Sequence, residues 1–346
     1  MRGRKVWLGA SLIAALALVA PAAMADLPLH LRDTGLYTDG SMSQVRPENL
    51  PFSPQYPLWS DGAAKRRWIS LPAGTFIDAA QPDAWEFPRG TRLWKEFSHA
   101  GRPVETRFIE RLADGSWRFA AYVWNEDGTD AVLAPANGIA GHPSPRAPGG
   151  RYDIPAQADC RACHEGAPAP VLGFSALQLS PDRDPLAPHG AAPAPDEVDL
   201  RGLVSRGLVR NLPSELVDQA PRIPAFSAIA RAALGYLHGN CGHCHNSTDA
   251  APPVGLRLAQ TGQPADLGRA WRSLTDVSQF QPAGFPASAP VVAPGNAAGS
   301  VLAARMRSRD PQAQMPPLGT HLPDPEGLAL VERWINSLEP SQETTP

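Results

Sequence analysis

The 346-residue chain has four cysteines, and all four fall in two copies of one pattern: Cys160-Arg161-Ala162-Cys163-His164 and Cys241-Gly242-His243-Cys244-His245. Two thiols at this spacing can add to the two vinyl groups on one edge of a porphyrin, and a histidine directly after the second can reach the iron. The pattern predicts two covalently bound c-type haems, with Cys160, Cys163, Cys241 and Cys244 as thioether donors and His164 and His245 as proximal ligands. A four-cysteine zinc ribbon would use the same thiols. However, 78 positions separate the two pairs, ribbons leave roughly 15–20, and zinc gives no role to a histidine after each pair. A thioredoxin-like pair needs a single motif in a βαβ setting, and none is visible.

The other ring nitrogen of a ligating histidine usually donates to a backbone carbonyl, which sets the tautomer. Pro168 or Pro170 stands where such a carbonyl is expected for His164, and Pro252 or Pro253 for His245. For the second haem, Met315 in Gln314-Met315-Pro316-Pro317-Leu318-Gly319 is the expected sixth ligand, and a His/Met pair raises the haem potential. Met306 is the rival, but it shares a helical pattern with Val301 and Leu302, where a methionine reads as core. No methionine lies between His164 and Arg305. The sixth position of the first haem is therefore left to His238, His189, His142, Met306 or nothing, with His238 favoured because it precedes Cys241 by about one helical turn.

The elements that must hold these groups read as an α+β multidomain chain. Residues 1–25 have Arg2, Arg4 and Lys5, an apolar stretch from Val6 to Ala20 and the small-residue site Ala23-Met24-Ala25, the form of a secretory signal peptide. Export to the periplasm is expected, with no membrane span after cleavage. Residues 26–140 contain Trp59, Trp68, Trp85, Trp94, Trp117 and Trp124 and alternate with period two, which predicts a small β-sandwich. Within it Val104-Thr106-Phe108 and Trp117-Phe119-Ala121-Val123 form a hairpin around Asp114-Gly115, a pair suited to a two-residue type I′ turn. Further strands are expected over 67–71, 91–97 and 131–134.

Residues 142–155 are dense in proline and glycine and predict an extended linker. They open a loop-rich segment, 141–220, that carries the first motif. Within it Asp196 is a candidate cap for a short helix. From about Ser227 a helix runs into the second motif, and another starts at Asp324 with Pro325 at its first position and Leu328, Val331, Trp334, Ile335 and Leu338 on one stripe. Residues 221–340 thus read as an all-α cytochrome c domain, followed by a tail over 341–346.

Proline accounts for 39 residues, about twice the ordinary share, so much of the chain must be looped or extended. Removal of the leader takes three of the 31 basic residues, leaving 28 against 34 acidic ones and a net charge of −6. Nucleic acid and anionic lipid are poor partners for such a surface.

The chain resembles a bacterial family of di-haem c-type cytochromes with an all-β N-terminal region and a C-terminal cytochrome c domain. The resemblance rests on Tyr56-Pro57-Leu58-Trp59-Ser60-Asp61-Gly62, Lys65-Arg66-Arg67-Trp68-Ile69, Phe87-Pro88-Arg89-Gly90-Thr91, Glu105-Thr106-Arg107, Tyr122-Val123-Trp124-Asn125-Glu126 and Tyr152-Asp153-Ile154-Pro155. It continues through Asn240-Cys241, Val292-Ala293-Pro294-Gly295 with Ser300, and Met315-Pro316-Pro317. It implies haem binding and electron transfer. The leading reading is an electron carrier, with a periplasmic redox protein or dehydrogenase as the expected partner. Two other readings stand beside it: a peroxidase-like enzyme built on an open first haem, and a carbohydrate-binding or small-ligand-binding β domain with the cytochrome part as its electron outlet.

Overall fold

The computed structural model describes residues 27–339 apart from Gly40, Asp83, Ala191, 249–253 and the side chain of Pro264. The expected leader over 1–25 and the tail over 341–346 lie outside the described residues. Alternating side chains build one six-stranded antiparallel sheet from β1 (Leu50–Pro51), β2 (Ala64–Ser70), β4 (Arg92–His99), β5 (Arg102–Arg111), β6 (Trp117–Trp124) and β7 (Ala131–Leu133), in the order β1-β2-β4-β5-β6-β7. β3 (Ile77–Asp78) pairs in parallel with β10 (Val209–Arg210), and β8 (Ile139–Pro143) pairs with β9 (Arg151–Ile154).

The register sorts the sheet into two different faces. Trp68, Trp94, Phe108 and Ala120 stand opposite one another across four strands, and this row packs against Leu31, Leu36 and Tyr37 from the N-terminal segment. The Trp94 indole N–H donates to Thr34 Oγ1 at 2.9 Å, so the buried ring keeps its one polar group satisfied. On the opposite face run two rows, Ile69-Leu93-Ile109-Phe119 and Arg67-Lys95-Arg107-Ala121.

Of the expected two-sheet packing only a small part is seen, where the two-stranded β8–β9 sheet sets Tyr152 and Ile154 against Phe97 and Ala121. Ile69 and Leu93 are covered by loops and short helices from residues 171–216, including Val171, Phe174, Leu200 and Leu203. Proline-rich segments cannot extend a ladder, so they cap the face as loops instead. The hairpin turn also differs from the expected type I′. Leu112 and Ser116 pair around a longer loop in which Gly115 alone takes the left-handed conformation (φ 93°), the pattern of a type I turn closed by a glycine bulge. The stretch expected to be a linker over 142–155 is largely the β8–β9 hairpin, whose turn uses left-handed Gly149 and Gly150.

Among the described residues there are seven α-helices: α1 (Gln157–His164), α2 (Leu200–Ser205), α3 (Ser214–Asp218), α4 (Ala228–Cys241), α5 (Pro264–Thr275), α6 (Val301–Arg307) and α7 (Pro325–Asn336). Asp199, not Asp196, caps α2, accepting the Gly202 N–H at 2.8 Å. Ser227 caps α4 and Asp324 caps α7, where Pro325 occupies the first turn. The α7 stripe packs on α4 with Leu330, Val331, Trp334 and Ile335 buried. Each contributes roughly 1.5–3 kcal/mol by burial. Close approach requires Gly327, since a Cβ there would overlap the Tyr236 ring.

No boundary isolates the middle segment as a separate body. Leu177 and Ala187 join Tyr56 in the helical core, whereas Phe174 and Leu179 join the core of the sheet. The Trp59 backbone N–H donates to Asn240 Oδ1 at 2.7 Å, directly before the second motif, and the Asp61 carboxylate accepts the N–H groups of His321 and Leu322. Among the described residues no helix is long and apolar enough to cross a membrane.

Candidate functional site

Helix α1 carries Cys160, Cys163 and His164 on one turn and packs against β6. Its N-terminus is held by Asp159, whose carboxylate accepts the Ala156 N–H at 2.9 Å. All three motif side chains line a cavity of about 810 Å³, within the range normal for ligand sites. The His164 Nδ1–H donates to Pro170 O at 2.6 Å, which leaves Nε2 as the nitrogen with a free lone pair. The Phe119 ring lies 5.2 Å from the imidazole, and burial pushes the His164 pKa down to about 4. The ring is therefore neutral at physiological pH, the form a metal requires.

Helix α4 ends at Cys241, and Cys244 and His245 follow in the turn beyond it. His245 is buried, and its Nδ1 has no hydrogen-bond partner among the described residues. Pro252 and Pro253, expected to supply that partner, lie outside the described residues. Burial, then the charge of Arg305, lowers the His245 pKa to about 4. Cys241 packs against the α4–α7 core, and burial raises its thiol to about 12.

The two motifs meet. The Cys163 and Cys244 side chains lie close enough to act on each other, which raises the Cys163 thiol to about 12, burial adding to it, and lowers that of Cys244. Around this contact the Gly166 carbonyl accepts from Asn246 Nδ2 and from the Thr248 hydroxyl, each at 3.0 Å. All four thiols are free.

No family model, curated protein or solved structure matches the chain.

The donor set must therefore be judged on its own geometry. At the first motif the fit to a covalently bound haem is direct, because two thiols and an oriented imidazole line one cavity. At the second the donors are present, but of that motif only Gly242 and His243 line the cavity. Among the described residues no three His, Cys, Asp or Glu side chains converge as a metal cage.

The expected sixth ligands are scattered. Met315 donates its N–H to Arg305 O at 3.0 Å, and Arg305 is the residue whose charge acts on His245; the flanking Gln314 and Pro316 line the cavity. Met306 is buried in the core beside α7. His238 lines the cavity, but its Nδ1 accepts the Gln260 N–H at 3.1 Å. A neutral ring so engaged carries its proton on Nε2 and has no lone pair there for iron. His189 Nε2 is bound to both carboxylate oxygens of Asp324, at 3.0 and 2.9 Å. His142 lies on β8 and does not line the cavity, although Ile139 and Ala140 of the same strand do.

Sequence reasoning missed His243, which lines the cavity and acts on the Cys163 thiol. It also missed Arg67, Lys95 and Arg107, which line the cavity from the sheet. The signal for them was present: period two places Arg67 on the face of Ile69 and Lys95 on that of Leu93, where apolar residues are expected.

Proposed function

We propose that the chain is an exported di-haem c-type cytochrome that passes electrons between its two haems and a periplasmic redox partner. The observation that carries this reading is the closeness of the two motifs, whose following segments are joined by the Asn246 and Thr248 bonds to Gly166 and whose Cys163 and Cys244 act on each other although the attachment sites are 78 positions apart. Haem supplies the one-electron iron couple, and the chain supplies attachment, axial donors and a low-dielectric surround. Cys160, Cys163 and His164 hold the first group, with Pro170 orienting the imidazole. Cys241, Cys244 and His245 hold the second, and Met315 is the assigned sixth ligand.

The decisive experiment is a pyridine haemochrome assay with intact mass on protein exported through a working maturation system. Two covalent haems per chain are expected. One or none sinks the reading.

A second reading is favoured by the His238–Gln260 hydrogen bond. If His238 keeps that bond it would not ligate a haem held by Cys160, Cys163 and His164, and a haem left without a sixth ligand would make small-molecule redox chemistry available. Carbon monoxide distinguishes the two readings: rapid binding to one haem per reduced chain favours the enzyme, and no binding favours the carrier.

A further inference from the structure

We propose that Arg67 and Lys95, side by side on β2 and β4 and lining the cavity shared by Cys160, Cys163 and His164, bind the two propionate carboxylates of the first haem. The inference rests on the haem reading above and goes on to assign the polar end of the site.

Three cations stand in register across three neighbouring strands, Arg67 opposite Lys95 and Lys95 opposite Arg107, and all three line the cavity. Only Arg107 is neutralised. Its guanidinium makes a bidentate pair with Glu105 at 2.8 and 3.0 Å, and Glu105, fully buried, also accepts from the Tyr152 hydroxyl at 2.8 Å. Among the described residues Arg67 and Lys95 have no ion-pair partner. The carboxylate that acts on Arg67 from further away, Glu197, is engaged by the Ser53 hydroxyl and the Ala194 N–H. Within this cross-strand row, three positive charges and the one carboxylate paired with it leave two positive charges, and a haem carries two propionates.

The arrangement is costly without an anion. Burial, and for Lys95 also the neighbouring positive charges of Arg67 and Arg107, pull the pKa of Arg67 down to about 10 and that of Lys95 well below its usual range. An uncompensated cation inside a protein carries a large desolvation penalty, whereas a charge-assisted pair with a carboxylate removes most of it. Position fits as well. Arg107 and Cys160 line the same cavity, within electrostatic reach of each other, so the Arg107 end of the row is the one toward the thioether edge. Arg67 lies two inter-strand steps further on, about 10 Å, a distance comparable with the breadth of a porphyrin, whose propionates lie on the edge away from its vinyl groups.

The test uses the exported holoprotein and the variants Arg67→Gln and Lys95→Met, with Arg67→Lys and Lys95→Arg as conservative partners. Haemochrome content and far-UV circular dichroism are measured first, then the propionate bending bands by resonance Raman and the midpoint potential of each haem. The expected result is two haems in every variant, shifted propionate bands and a lowered potential for one haem in Arg67→Gln and Lys95→Met, with recovery in the charge-conserving pair. A lost cation stabilises the ferric state, whereas a merely structural role would leave the propionate bands in place. Unchanged bands and potentials in haem-loaded variants overturn the assignment. Unchanged bands together with nitrite binding to wild type that both variants lose also overturn it, and mark the pair as a site for a free anion. A wild-type chain without covalent haem defeats the proposed function itself, an outcome read from the haemochrome assay alone.

Discussion

His164 reaches the carbonyl of Pro170, six residues further along the chain, at 2.6 Å, and that bond decides which ring nitrogen can bind iron. In the proposed di-haem protein, the thioether bonds at Cys160 and Cys163 would not depend on it. In His164→Ala the mass should still report two haems, while one of them changes spin state and absorption. Loss of one haem in that variant would show that the imidazole is needed for attachment itself.

His238→Leu should leave both haem spectra unchanged, because His238 Nδ1 is already committed to the Gln260 N–H. The substitution leaves that buried donor unpaired, at about 1–3 kcal/mol. Absorption spectra and urea denaturation check the two halves separately. A new high-spin band would restore His238 as an axial ligand.

Met315→Ala and Met306→Ala should part company. The first should abolish a methionine-to-iron absorption band and lower one midpoint potential, since thioether ligation favours ferrous iron. The second removes a buried side chain from the core beside α7 and should cost about 2–5 kcal/mol with the spectrum retained. If the two spectra exchange roles, the assignment of the 314–319 loop fails.

Asp324 gives the acid limb of stability. Burial alone would raise its pKa, but the His189 ring and the Gly327 N–H donate to the carboxylate and outweigh burial, so the folded value lies below the ordinary one. A depressed carboxylate contributes stability above its unfolded pKa of about 3.9 and loses it as pH falls through the folded value. Asp324→Asn should therefore flatten the loss of stability below about pH 4 in urea midpoints taken across that range. Asp324→Ala should also remove the α7 cap, at about 1–2 kcal/mol.

Gly327→Ala tests the helix crossing. A methyl group there overlaps the Tyr236 ring, so α7 must move away from α4 at about 1–3 kcal/mol or more. Thermal unfolding of the holoprotein should show a lowered midpoint with haem content unchanged.

The sequence by itself determined the elements whose information is local. Attachment chemistry lies within five consecutive residues, so both motifs are legible without any fold. The same holds for the Ser227 and Asp324 caps, the α7 stripe and the alternation of β5 and β6, because capping and periodicity act over a few residues. The Pro170 partner of His164 was within reach for that reason, as one of two prolines in a short loop. Reading failed where distant segments compete. Asp199 displaced Asp196 as a cap once Leu200 and Leu203 were drawn into the core of the sheet, and loops rather than a second sheet covered Ile69 and Leu93. Only the tertiary structure decided that Cys163 meets Cys244, that Gln260 takes the Nδ1 of His238, and that Arg67 and Lys95 face the same cavity as His164. Each of these joins residues far apart in the chain, and the close packing that brings them together depends on the shapes of all the segments between them.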